Sequence, residues 1–290
     1  MKRILLPLVL ILVFFSSYAQ EGQAEKKDRP VPEPFAGSIL LDNQTTYVNE
    51  VKSLEFYIQH KFGTIEKGSE DVWGIYAPGA NIRLGASFIP YENLQVGYGL
   101  TMTDLTHDFS LKYTILEQTR KNAVPVAVAL YGNVGISAFP GQEFTDEFKF
   151  TDRLSIFYQL IISRKFTDRI SMQVGASHSH FNMVDTSKYD FDRIGVHFNG
   201  RVKFSENSAF VFNYDQPLKI DAFRLDNNKD VKFTPNLAFG VEIATATHVF
   251  DIYLGYSKEI LPQYYMMRTA DEIDFEQFRI GFIIKGLKSF

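Results

Sequence analysis

Residues 93–103 read NLQVGYGLTMT and alternate strictly between two kinds of side chain. The odd-numbered positions carry only glycine and neutral polar residues. The even-numbered positions carry Leu94, Val96, Tyr98, Leu100 and Met102. A period of two predicts a β-strand with one apolar and one polar face. Soluble strands average about 5–6 residues, whereas a tilted strand needs about 9–11 residues to cross a bilayer, so the length of this stretch favours a membrane strand.

The same alternation recurs along most of the chain, which predicts an all-β protein. We expect about twelve strands, with 10–14 possible, closed into a single antiparallel transmembrane β-barrel. A soluble β-sandwich is the alternative, but its strands are shorter. The eleven further stretches are 52–62, 80–89, 107–116, 124–137, 154–166, 169–180, 193–204, 208–214, 236–246, 248–257 and 274–285.

The connections between these stretches alternate in length, which gives a second test of the barrel. Outer-membrane barrels have short periplasmic turns and long outer loops. With one exception, at 104–106, every second connection is long, so both termini are predicted to be periplasmic. The short connections are 90–92, 117–123, 167–168, 205–207 and 246–247, and the long ones are 63–79, 138–153, 181–192, 215–235 and 258–273.

The N-terminus predicts export. A basic start at Lys2 and Arg3, an apolar run over 4–15 and small residues at Ser17 and Ala19 are typical of a signal peptide, here 1–19. An uncleaved N-terminal anchor is the alternative. The polar, proline-rich stretch 20–38 predicts a flexible periplasmic tail. The barrel is then 39–290, in which 39–51 forms either a plug in the lumen or a segment ahead of the first strand.

Composition excludes several classes of function. The chain has 290 residues and no cysteine, so it has no disulfide scaffold, no iron–sulfur ligands and no thiol nucleophile. Its net charge is −4, without a basic stripe, which argues against a nucleic-acid partner. No phosphate-binding or dinucleotide-binding motif is present, so no cofactor is expected.

Several motifs resemble an uncharacterised family of Bacteroidetes-type outer-membrane β-barrels, known as a domain of unknown function. The resemblance covers roughly 39–290 and implies one barrel in the outer membrane, with no established activity. The motifs are LEFYIQHKFG at 54–63, Trp73-Gly74 with IRLG at 82–85, SHFN at 179–182, GVEIATATHVF at 240–250 and the closing Ile280-Gly281-Phe282.

The polar faces of the strands predict which charged side chains line the lumen. The basic residues outnumber the acidic ones, which predicts a net basic interior. In an open pore such a lining would favour anions, and in a closed barrel it would form ion pairs. The predicted lumenal residues are Lys61, Arg83, Lys112, Lys165, Arg193, Arg201, Lys203, Arg279 and Lys285, with Glu55, Asp108, Glu242 and Asp251 as the acids.

Two histidines are weak candidates for a metal site. His178 and His180 lie on one face of a predicted strand, but a zinc site needs three or four ligands, and interfacial packing is the favoured interpretation. They also bear on an enzymatic alternative, an outer-membrane lipid hydrolase. Ser177 and Ser179 project to the opposite face, so neither can pass a proton to His178.

The sequence therefore predicts a non-catalytic, porin-like channel for small solutes, or a structural barrel, in a Gram-negative outer membrane. A strand that closes the chain on an aromatic residue, Phe290, is the signal expected for the barrel assembly machinery. The expected partners are that machinery, outer-membrane lipid and lipopolysaccharide. The lipid hydrolase is the second hypothesis.

Overall fold

The computed structural model describes residues 28–102, 105–138, 148–186, 189–220, 233–268 and 273–290. The predicted signal peptide and the first part of the predicted tail lie outside these residues. Within them, β1 (Ile39–Leu40) and β2 (Asn43–Gln44) pair with each other, and twelve antiparallel strands close into one barrel. The barrel strands are β3 (Ser53–Thr64), β4 (Asn81–Tyr91), β5 (Leu94–Thr101), β6 (Thr106–Leu116), β7 (Ala127–Ser137), β8 (Leu154–Lys165), β9 (Ile170–Phe181), β10 (Asp192–Lys203), β11 (Ser208–Leu218), β12 (Asn236–Ala244), β13 (His248–Gly255) and β14 (Arg279–Ser289).

The twelve-strand prediction is confirmed, and the largest corrections to strand bounds are in β11 and β14. β11 continues past residue 214 to Leu218, because Asp215 faces inward, where a polar residue continues the alternation. β14 begins at Arg279 rather than at residue 274. The residues before it form a short 3₁₀ turn, Phe275–Gln277, in which the Asp274 side chain accepts a hydrogen bond from the backbone N–H of Glu276.

The barrel is polar inside and apolar outside, as a membrane barrel requires. In β8, Leu160 is 41% exposed on the outer surface and its neighbour Gln159 is 4% exposed on the inner one. Aromatic side chains near the strand ends also face outward and form the girdles expected at the two membrane interfaces. They include Phe88, Phe109, Phe166, Phe204, Phe210, Tyr214 and Phe250.

The two ends of the barrel differ in their connections. At one end, which we call the short-turn end, the strands are joined by turns such as 92–93, 166–169 and 204–207. β3 begins and β14 ends there, where Ser53 pairs with Ser289. At the opposite long-loop end, connections such as 65–80 and 256–278 are long. The predicted alternation of connections is therefore confirmed.

No helix within the described residues combines the length and the apolar character needed to span a bilayer. The one α-helix of these residues, α1 (Pro262–Met267), is short and lies in the long connection between β13 and β14.

Candidate functional site

The lumen is filled from the short-turn end by residues 35–49, which we call the N-terminal plug. Phe35, Leu40 and Leu41 are almost completely buried and pack against wall residues that include Tyr253 and Ile283. The tail predicted to extend to residue 38 therefore ends earlier. The apolar Phe35 anchors the chain inside the barrel although the surrounding sequence is polar. Before it, Pro30 forms an isolated β-bridge with Thr119 in the 117–126 turn.

A second segment, residues 256–268, enters from the long-loop end, and we call it the loop plug. It contains α1, which starts with Pro262 at a position where its missing N–H costs nothing. Tyr265 and Met266 pack against the wall residues Phe157 and Ile161. Met266 fits against β10 because residue 195 is glycine, where an added Cβ would lie 1.8 Å from the methionine methyl group.

Lys61, on the wall strand β3, holds both plugs. Its Nζ lies 2.8 Å from the Asp42 carboxylate in the N-terminal plug. It also donates to the carbonyl oxygens of Ser257 at 2.9 Å and Glu259 at 2.8 Å in the loop plug. Burial raises the pKa of Asp42, and the neighbouring Lys61 acts in the opposite direction. Breaking such a buried pair by removing one partner costs about 3–5 kcal/mol. Through this ion pair and the two carbonyl contacts, Lys61 joins the wall to both plugs.

Other lumenal charges form ion pairs along the wall. Glu242 and Asp251 lie directly opposite each other on β12 and β13. Arg201 approaches Glu242 at 2.5 Å, and Lys285 approaches Asp251 at 3.0 Å and Glu242 at 3.8 Å. The two like charges are thus held together by two cations, as a buried cluster requires.

The remaining predicted lumenal residues have different partners. Arg83 pairs with Asp108 at 2.6 Å. Lys112 donates to the N-terminal plug at the Tyr47 carbonyl, 2.8 Å away, and Lys165 donates to the Pro32 carbonyl, also at 2.8 Å. Arg193 approaches Asp190 at 3.3 Å. Glu55 is buried, and Lys203 and Arg279 are half-buried near opposite rims of the barrel.

Among the described residues, the lumen is closer to electrical balance than strand alternation predicted. Four further carboxylates are buried in or against it and offset most of the positive excess. Strand alternation did not point to them because they lie in the plugs, in a loop or at a strand end assigned to a loop. They are Asp42, Asp190, Asp215 and Glu259.

The lumen also contains a Ser–His–Asp chain that strand alternation alone does not predict. His197 Nε2 lies 2.7 Å from Ser177 Oγ, and its Nδ1 lies 2.8 Å from Asp215 Oδ1. Ser177 and Ser179 face away from His178, as strand alternation predicts, but Ser177 reaches His197 on the inner face of the next strand. Because Gly195 pairs with Ser177 and His197 with Asp215, the three residues meet only once the strand register is known.

This chain of polar groups is enclosed in the closed barrel. His197 is 3% exposed and Ser177 is 6% exposed. Asp215 also accepts hydrogen bonds from Asn43 of the N-terminal plug at 2.7 Å and from Asn236 at 2.9 Å. Asp215, the last member of this chain, thereby fastens the N-terminal plug to the wall.

The two histidines considered for a metal site share one partner on the outer surface. His178 Nε2 lies 2.9 Å from Asp192 Oδ1, and His180 Nδ1 lies 2.8 Å from the same oxygen. His180 Nε2 also contacts Asn182 at 3.0 Å. Within the described part of the chain, no group of three or more His, Cys, Asp or Glu residues is arranged to hold a metal ion.

The fold and the filled lumen define a membrane-bound β-barrel. Residues 35–287 match the family described as the membrane bound beta barrel domain (DUF5777), and the chain belongs to that family. The predicted resemblance to a β-barrel family of unknown function is thereby confirmed, and its Bacteroidetes type stays a prediction.

Solved outer-membrane channels have a similar fold. An outer-membrane channel from Pseudomonas putida F1 is 12% identical, with a TM-score of 0.53 over 84% of this chain and 98% of that one. The NanC porin is 10% identical, with a TM-score of 0.48 over 82% and 99% of the two chains. The KdgM porin is 7% identical, with a TM-score of 0.46 over the same shares. No curated protein matches the chain in sequence.

Proposed function

We propose that the protein lies in the outer membrane of a Gram-negative bacterium, with both termini in the periplasm, and passes small solutes without catalysis when its plugs withdraw. The observation that carries this proposal is a polar wall around two separate plugs. Small barrels usually fill their interior with wall side chains. Here the inner residues Gly135 and Gly195 leave room for Gln263 and Met266 of the loop plug, and both plugs are attached by polar contacts as well as by apolar packing.

A disulfide between the N-terminal plug and the wall tests this function. Thr46 Oγ1 in the plug and Ser163 Oγ on β8 are 2.5 Å apart, so cysteines at these positions need only a small shift to reach the S–S distance of about 2.05 Å. Because the chain has no cysteine, Thr46→Cys with Ser163→Cys introduces a single possible bridge. We expect planar-bilayer conductance steps from the wild type, none from the oxidised double variant, and their return after reduction.

The Thr46→Cys single variant is the matched control and should conduct like the wild type under both conditions. Conductance by the oxidised double variant equal to that of the wild type would show that the N-terminal plug does not close the lumen. A wild type that never conducts would contradict the channel function.

The closing strand supports a further part of the proposal. Phe290 is 72% exposed, and its backbone N–H donates to the Lys52 carbonyl at 3.1 Å, beside the first barrel strand. Phe290 directly follows β14, the strand that closes the barrel by pairing with β3, and an exposed aromatic residue at this position suits recognition by the barrel assembly machinery. The outer surface would then contact outer-membrane lipid and lipopolysaccharide.

Hydrolysis is the second candidate function, and the Ser177–His197–Asp215 geometry is the observation that favours it. A serine nucleophile, a histidine base and an orienting carboxylate are the parts of an acyl-transfer site. The three residues are buried in the lumen, where a substrate does not reach them, and this favours the channel function. We therefore expect no covalent labelling of Ser177 by a fluorophosphonate probe in the wild type. Labelling that disappears in Ser177→Ala would instead support a hydrolase.

A further inference from the structure

A cavity of about 300 Å³ opens at the long-loop end, above the loop plug. Its floor includes Ser257 and Glu259, whose backbone carbonyls are bound by Lys61. The side chains that bear on its chemistry are three tyrosines and three cations. They are Tyr189, Tyr256, Tyr265, Lys258, Arg268 and Arg279.

The cations of this cavity exceed its carboxylates. The one carboxylate among the lining residues, Glu259, lies 3.2 Å from Arg268 and 3.9 Å from Lys258. Arg279 has no carboxylate within ion-pair distance among the described residues. Within the described part of the chain, its Nη1 donates to the carbonyl oxygens of Phe62 at 3.2 Å and Gly79 at 3.4 Å, and its buried Nε has no hydrogen-bond partner.

A half-buried guanidinium without a counter-ion carries a desolvation cost that a bound anion would offset. The planar fork of an arginine suits a carboxylate, which it can hold through two parallel hydrogen bonds. Aromatic rings prefer other flat apolar groups in stacked or edge-on contact. The cavity therefore combines one cation without a carboxylate partner with tyrosine rings, and small-molecule sites likewise combine a few polar groups with aromatic side chains.

We propose that this cavity binds a small organic anion, with its carboxylate on Arg279 and a flat apolar body against the tyrosines. The proposal rests on the channel function, because it names the class of solute that enters from the long-loop end. The bound anion contacts the loop plug at the residues that Lys61 holds, so the cavity lies at the joint that must open for passage.

Titration calorimetry on the full-length protein in detergent micelles tests the site with benzoate, which has a carboxylate on a flat ring. Benzamide has nearly the same shape without the charge and is the matched control ligand. We expect benzoate to bind at least tenfold more tightly than benzamide, because a charged hydrogen bond is lost with the neutral ligand. Equal binding of the two ligands, or no binding of benzoate, would overturn the proposal.

Arg279→Gln should weaken benzoate binding about tenfold or more and leave benzamide binding unchanged. Arg164→Gln, at the short-turn end, should change neither affinity. If Arg279→Gln does not fold, as judged by heat-dependent gel mobility, Lys258→Gln replaces it. Lys258 has a 52% exposed side chain, and its loss should weaken benzoate binding severalfold. An unchanged benzoate affinity in the folded variant would contradict the site.

The outcomes for the site and for the channel are separable. Conductance by the wild type without benzoate binding would overturn the anion site and leave the channel function standing. Benzoate binding without conductance in any redox state of the Thr46→Cys, Ser163→Cys variant would overturn the channel function instead.

Discussion

At the scale of single residues, position along a strand decides which solvent a side chain meets. Leu160 and Gln159 are adjacent in the middle of β8, yet one faces lipid and the other contacts Asn43 of the N-terminal plug at 3.4 Å. A charge introduced by substitution therefore has different effects on the two faces of the wall. On the lipid face no partner can compensate the charge, whereas on the inner face the separate plug can move.

Leu160→Arg should impair assembly, because a lipid-facing charge near the middle of the bilayer costs about 2–4 kcal/mol. Gln159→Arg should leave the barrel assembled, since the strain is relieved by shifting the N-terminal plug. The share of heat-modifiable folded barrel on a semi-native gel measures both effects. Loss of the folded barrel in Gln159→Arg but not in Leu160→Arg would show that the inner and outer faces are assigned the wrong way round.

At the scale of elements, strands and plugs differ in how much local sequence predicts them. Each strand shows its period and its length within about ten residues, so local sequence is enough to predict it. The loop plug has no such period. Its signal is an apolar cluster, Tyr264–Met267, inside a connection that is expected to be polar. The alternation of long and short connections predicts only a long outer loop at this position.

The N-terminal plug was predicted as one of two possibilities, and the structure places it in the lumen. Ile39-Leu40-Leu41 is too short to span a membrane and too apolar for a solvated tail, so it needs a buried site. The small inner residues of the wall provide the room for it. Two charged wall residues then fix the position of the plug along the lumen. Lys61 pairs with Asp42 of the plug, and Asp215 accepts a hydrogen bond from Asn43 of the plug.

At the scale of the whole molecule, the two ends of the barrel define its orientation in the membrane. The proposed arrangement places the long-loop end outside the cell, and a chain without cysteine allows this to be measured with single cysteines. Tyr76, in the 65–80 loop, is 80% exposed, and the Asp168 side chain, in the 166–169 turn, is fully exposed. The longest loops offer Gly141 and Asn228 as further labelling positions, but both residues lie outside the described ranges.

A membrane-impermeant maleimide should label Tyr76→Cys on intact cells, because this loop faces the medium in the proposed orientation. It should label Asp168→Cys only after the cells are opened. Labelling of both variants in lysed cells controls for the reactivity of each thiol. The reverse pattern on intact cells would place both termini of the barrel outside and contradict the proposed orientation.

The sequence alone determined the class of this protein: long strands of period two, a polar and an apolar face, and connections that alternate in length. These features are local, so they can be read without knowing which residues meet in space. Only the tertiary structure decided that the lumen is filled and how its charges are compensated. Lys61 meets Glu259 across 198 residues of sequence, and Ser177, His197 and Asp215 meet through strand register. Contacts of this kind follow from closure of the barrel and from two plugs entering opposite ends, for which the period of the strands carries no signal.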